Sequence, residues 1–164
     1  MKKICTVLAI AVLALALASG SASAATLKAG DAIPESLKFK TLDGGEVTVK
    51  SVIKDKPSVL VFFNTSCRNC LNEIKWLMRK YKDRNNVLIS IDLAGAPAVQ
   101  RYQKQYMKDY MDIPIYLDQE FAVPISFGLS VTPSSVLVGK DGVVTHVFSG
   151  YDKSSEEAIA ELYK

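Results

Sequence analysis

The residues best placed to do chemistry in this chain are two cysteines with two residues between them, Cys67-Arg68-Asn69-Cys70. At the start of a helix the first thiol would meet unpaired N–H groups and the positive end of the macrodipole, both of which favour an anion. A cysteine there holds its thiolate more readily than a free cysteine, whose pKa is about 8.5. Arg68 places a further positive charge beside it. Cys70 follows one turn later, where its sulfur can attack a mixed disulfide formed at Cys67. This assigns Cys67 as attacking nucleophile and Cys70 as resolving thiol. Other uses of the pair stay open. It could be a static disulfide, or a Cu(I) site built from both thiolates with His146 or a methionine. A four-ligand zinc site is poorly served, because the chain has one histidine and one other cysteine, Cys5, near its start.

The flanking sequence must hold such a pair in place. Val59, Leu60, Val61, Phe62 and Phe63 form an unbroken run of β-branched and large apolar residues, the composition of a strand buried on both faces. Asn64, Thr65 and Ser66 break that run with side chains suited to capping a helix. After the cysteines, Leu71, Ile74, Leu77, Met78 and Tyr81 recur at helical spacing and mark one buried face. The order is strand, turn, C-x-x-C, helix.

The first 24 residues have another character. Lys2 and Lys3 precede an apolar core from Val7 to Leu17, and Ala22-Ser23-Ala24 gives an A-x-A cleavage pattern. This predicts a secretory signal peptide over 1–24 and a domain over 25–164, exported to the periplasm or cell envelope. An uncleaved N-terminal membrane anchor is the alternative, although the apolar core is short of the about 20 residues a span needs. Cys5 precedes the apolar core and would leave with the peptide. A secreted domain whose two remaining cysteines lie three apart is no disulfide-stapled scaffold, so the pair reads as a working one. Without Lys2 and Lys3 the chain has 18 basic and 17 acidic side chains. That balance gives no argument for nucleic acid. Roughly 140 mature residues suit one domain with a single core.

Along the rest of the chain, Leu37 to Thr41 and Glu46 to Lys50 alternate around Asp43-Gly44-Gly45 and predict a β-hairpin. Ser51 to Lys56 reads as a polar connector or a single helical turn. Val87 to Ile91 is a second apolar strand, and Ala96 to Tyr110 a helix with Pro97 in its first turn. Ile113 to Leu117 reads as a short strand interrupted at Pro114, and Glu120 to Phe127 as a short helix that Pro124 distorts. Ser135 to Val138 and Val143 to Phe148 flank Asp141-Gly142, a strong hairpin signal. Lys153 to Tyr163 closes as an amphipathic helix with Ala158, Ile159 and Leu162 inward. Strands alternating with helices, then a terminal hairpin and helix, imply an α/β sandwich on a mixed sheet.

This order of parts resembles the thioredoxin fold, and more closely the TlpA/ResA-type thiol-disulfide oxidoreductases of bacterial envelopes. Gly30-Asp31-Ala32-Ile33-Pro34, Leu42-Asp43-Gly44, Cys67 to Cys70, Val131-Thr132-Pro133 and Lys140-Asp141-Gly142 carry the resemblance, which runs from about Gly30 to Leu162. It implies a central mixed sheet flanked by helices, with an N-terminal β-hairpin extension. It also implies that the peptide before Pro133 is cis and that Thr132 offers its backbone to a bound peptide, whereas the residues alone read as a strand-edge turn. Arg68 and Asn69 would border the substrate. Glu73 matches an acidic residue implicated in proton handling in that family; its other reading is a solvent-facing helix glutamate.

The resemblance further implies a reductase of protein disulfides, apocytochrome c cysteines among them. It would be a monomer without cofactor or metal, re-reduced by a membrane thiol reductase of the DsbD/CcdA type. Two positions depart from the family: Ser66 stands where Trp is usual and Asn69 where Pro is common. Residues between the cysteines strongly affect redox potential, so Arg68-Asn69 bears on the direction of electron flow. Trp76 lies in the helix and reads as ordinary packing. A peroxiredoxin is the enzymatic rival, but its peroxidatic cysteine wants Thr or Ser three residues earlier and Pro four before that, where this chain has Asn64 and Leu60. A Cu(I) metallochaperone is the rival from another class.

Overall fold

The run from Ser58 to Phe63 becomes the central strand, because every one of its side chains has somewhere apolar to go. A computed structural model describes residues 26–164; the expected signal peptide and Cys5 lie outside the described residues. The elements, in order, are β1 (Lys38–Thr41), β2 (Glu46–Thr48), α1 (Val49–Ile53), β3 (Ser58–Phe63), α2 (Arg68–Tyr81), β4 (Asn85–Ser90), α3 (Gly95–Tyr106), a single 3₁₀ turn (Lys108–Tyr110), β5 (Ile115–Leu117), α4 (Ala122–Ser126), β6 (Ser134–Val138), β7 (Val144–Ser149) and α5 (Lys153–Leu162). One mixed sheet takes the seven strands in the order β2-β1-β5-β4-β3-β6-β7. β3 runs parallel to β4 and antiparallel to β6. The hairpin β1–β2 extends the sheet by pairing antiparallel with β5.

Period-two alternation splits the core into two layers. Leu60 and Phe62 of β3 join Val87 and Ile89 of β4 on the face covered by α1 and α4. Val59, Val61 and Phe63 join Leu88 and Leu137 on the other face, against Ile74, Leu77 and Met78 of α2 and Ile159 of α5. Phe62 and Phe63 are at most 1% exposed, and burial of each contributes about 1.5–3 kcal/mol. This is the thioredoxin-like α/β architecture with its N-terminal hairpin.

Several expected boundaries shift. Val49 starts a helix rather than continuing the strand expected from Glu46 to Lys50. Of the two readings of 51–56 the helical turn holds at its start: Val52 and Ile53 are buried and end α1, with Thr48 as its N-cap accepting from the Ser51 N–H at 3.1 Å. The helix expected over 96–110 ends at Tyr106. Gln103, itself buried, turns its side-chain amide to the carbonyls of Met111 and Ile113 at 3.3 and 3.2 Å, holding the chain beyond the break. The strand expected over 113–117 begins only at Ile115, after Pro114. Pro124 does not distort α4, because it sits in the first turn where no N–H is needed. Asp118 caps that turn, its carboxylate accepting from the amides of Ala122 and Val123 at 3.1 and 2.8 Å. Among the described residues no helix is long and apolar enough to cross a membrane.

Candidate active site

The polar loop at the end of β3 delivers a sulfur to the N-cap of α2. Asn64 accepts from both the backbone N–H and the hydroxyl of Ser66, at 2.9 and 2.6 Å. The Cys67 N–H closes the turn onto the Asn64 carbonyl at 3.0 Å. Cys67 itself, in extended backbone, is the N-cap, and its Sγ accepts from the Cys70 N–H at 3.1 Å. The capping role expected of Asn64 to Ser66 therefore falls to the cysteine, while Asn64 shapes the approach. A sulfur in that position occupies the place an oxygen usually takes, and the N–H aimed at it favours negative charge.

Cys67 and Cys70 are joined as a disulfide, with Cα atoms 5.3 Å apart. The two sulfurs have unlike surroundings. Cys67 is half-buried and borders a cleft of about 240 Å³ that Arg68, Leu71, Tyr102 and Tyr106 also line. Cys70 is fully buried among Val61, Ile74 and Leu77. Arg68 and Asn69 are exposed beside the pair.

Glu73 follows Cys70 by three residues, and here the solvent-facing reading fails: its exposure is 0%. One carboxylate oxygen accepts from the Ser135 hydroxyl. The other is buried with no partner among the described residues. Desolvation pushes the carboxyl up to about 7, with the Ser135 bond acting in the opposite direction. A buried carboxyl poised near neutral pH can take up a proton and release it. Ser135 comes from β6, where it lies opposite Val61 of β3, so the central sheet fixes this bond from outside the helix.

The loop before β6 sits at the same end of the sheet as the cysteines, because Phe62 pairs with Ser134. The Thr132–Pro133 peptide is cis. Pro133 is buried and Thr132 half-buried, whereas Val131 is exposed. The Pro133 carbonyl accepts from Gly150 at 2.9 Å, and the Ser134 hydroxyl donates to Val131 O at 2.7 Å, which ties the loop down. Thr65, just before the pair, donates to Asp92 beyond the end of β4.

His146 lies on the exposed edge strand β7 and stacks on Phe148 with ring centroids 5.7 Å apart. Among the described residues no group of three His, Cys, Asp or Glu side chains is placed to hold a metal. Trp76 packs between Tyr81 and Tyr151, at 5.8 and 6.1 Å. Sequence reasoning missed Ser135 and the cleft walls Tyr102 and Tyr106. Ser134 and Ser135 did leave a trace, as two adjacent hydroxyls entering an otherwise apolar strand. Tyr102 and Tyr106 were legible only as helix-face residues.

A strand that feeds a C-x-x-C onto a helix N-terminus, with a cis-proline loop at the same end of the sheet, defines a thioredoxin-fold thiol-disulfide oxidoreductase. The chain belongs to the Redoxin family, whose profile matches residues 28–163. It is similar to the thiol-disulfide oxidoreductase ResA of Bacillus thuringiensis subsp. konkukian, at 28% identity over 127 residues, 75% of this chain and 70% of the relative. The thiol-disulfide oxidoreductase YkuV of Bacillus subtilis is 25% identical over 134 residues, 76% of this chain and 87% of the relative. In fold the chain is similar to a DsbE-type thiol:disulfide interchange protein of Chlorobium tepidum, with a TM-score of 0.66 and 20% identity over 84% of this chain and 96% of that one.

Proposed function

We propose that this oxidoreductase is a disulfide reductase of the bacterial envelope, exported by its first 24 residues and acting as a monomer on protein disulfides, apocytochrome c cysteines among them. The observation that supports the order of attack is the unlike burial of the two sulfurs, with a buried carboxyl one turn beyond the second. Reduced Cys67 attacks one sulfur of the substrate disulfide as a thiolate, and the other substrate sulfur leaves as a thiolate. Cys70 then gives its proton to Glu73 and attacks the Cys67 sulfur. The second substrate sulfur leaves, and the protein retains the disulfide. Two electrons pass from the pair to the substrate. Thr132 and Pro133 hold the substrate backbone beside Cys67 in the manner of an added strand, and Arg68 and Asn69 border it.

A membrane thiol reductase of the DsbD/CcdA type returns two electrons to the pair, its own dithiol becoming a disulfide. Alkylation trapping in cells tests this reading. A substantial fraction of the pair is expected to be reduced, and removing the membrane donor should drive it wholly to the disulfide. A pair found fully oxidised in every growth condition, donor present, would contradict the reductase reading and favour an oxidant or a static bridge.

A further inference from the structure

The cleft at Cys67 does not end at Tyr106. That side chain, 42% exposed, also borders a second cleft of about 320 Å³, which Lys75, Arg79, Gln105, Lys108 and Asp109 help to line. The two form one groove along α2, walled on the far side by the end of α3. Arg68, Lys75 and Arg79 are spaced by seven and four residues, so they fall on one face of α2. From Arg68 to Arg79 that face runs about 16 Å at 1.5 Å per residue. Four cations, Arg68, Lys75, Arg79 and Lys108, thus meet a single carboxylate, Asp109. None of the ion pairs among the described residues involves any of the four. The concentration is local, since the chain from Ala25 onward has 18 basic and 17 acidic side chains.

We propose that this groove takes the acidic flank of a substrate polypeptide whose sulfur reacts at Cys67. The inference rests on the reductase reading and names the kind of protein substrate it acts on. Unpaired cations beside a reactive sulfur attract an anionic chain, while Leu71 and the Tyr102–Tyr106 pair, whose rings lie 5.3 Å apart, give it an apolar wall. An extended peptide advances about 3.3 Å per residue. The groove therefore spans about five residues, and the acidic positions fall within about five of the reactive cysteine. A folded or cationic substrate gains nothing from it.

Two synthetic peptides with the same disulfide test this, one flanked by Asp and Glu and the other by Lys. The reduced protein is mixed with each, and oxidation of the pair is followed by alkylation quench. At low ionic strength the acidic peptide should react about tenfold faster, and the ratio should fall within about twofold of one at 0.5 M salt. In a Lys75→Glu/Arg79→Glu variant the preference should invert. Because the ratio compares two substrates on one preparation, partial loss of folded protein does not alter it. Lys54→Glu/Lys56→Glu, at the other end of β3, makes the same change in net charge and should leave the ratio as in wild type. A wild-type ratio near one, a ratio unmoved in Lys75→Glu/Arg79→Glu, or an equal shift in Lys54→Glu/Lys56→Glu would overturn the groove. If the reduced pair still reduces both peptides in those cases, the reductase reading stands and only the groove falls. Reduction of neither peptide would overturn both.

Discussion

Replacing Cys70 with serine should convert the protein into a trap for its substrates. Cys67 borders an open cleft and Cys70 is fully buried, so an incoming disulfide meets only the first sulfur. Without the second thiol the mixed disulfide has no internal attacker, and covalent complexes through Cys67 should accumulate and be released by added dithiol. Cys67→Ser removes the attacking sulfur and should reduce exchange to background, with no complexes formed. The fold should survive both changes, because serine fits in the space of cysteine and the other buried side chains on both faces of β3 remain. Non-reducing electrophoresis of cell extracts checks the pair of outcomes. Complexes formed through Cys70 in the Cys67→Ser variant would reverse the two roles.

The second large effect belongs to Glu73. A Glu73→Gln variant keeps the shape and still accepts from Ser135, but it cannot act as a base. Reduction of a substrate disulfide should slow about 10- to 100-fold, at or below the low end for lost general-base catalysis. In wild type the rate should rise with pH through an inflection near 7, where the carboxyl loses its proton, and that inflection should vanish in the variant. Stability should move the other way. Because burial raises the carboxyl from its ordinary 4.5 to about 7, the folded protein holds more protons than the unfolded chain between those values. The contribution of Glu73 is fully present below 4.5 and is lost as pH rises through about 7, a change of about 3 kcal/mol. Urea unfolding of the oxidised protein at pH 5 and pH 8 should show this loss in wild type and not in Glu73→Gln. A slower enzyme that is more stable at pH 8 is the signature of a charge kept for chemistry. Wild-type rates with an unchanged pH profile would return Glu73 to a purely structural role.

Much of this was legible in the sequence. The run Val59 to Phe63 admits no other place than the middle of a sheet, and the break after it with a C-x-x-C at a helix start locates the reactive pair. What stayed hidden depends on contacts distant in sequence. Glu73 sits among Asn72, Lys75 and Arg79, and nothing local distinguishes it from a solvated glutamate; it is buried, and its hydrogen-bond partner Ser135 lies 62 residues away on β6. Five-residue α1 gave too little periodicity to place its start or to decide between a helical turn and a connector, since only Val49, Val52 and Ile53 face the core. The capping residues before α2 were read from type alone, and oxygen-bearing Asn64 to Ser66 outranked a sulfur. The groove beyond Tyr106 needed α3 to be laid against α2 before its cations could be seen together.

The measurement that bears most directly on the reductase reading is the reduction potential of the Cys67–Cys70 couple, taken by equilibration with a defined dithiol buffer at pH 7. A value near that of thioredoxin, about −270 mV, is predicted, and it would let the pair pass electrons to envelope disulfides. A value near about −120 mV, that of a strong oxidant, would contradict it and reverse the flow of electrons through the same site.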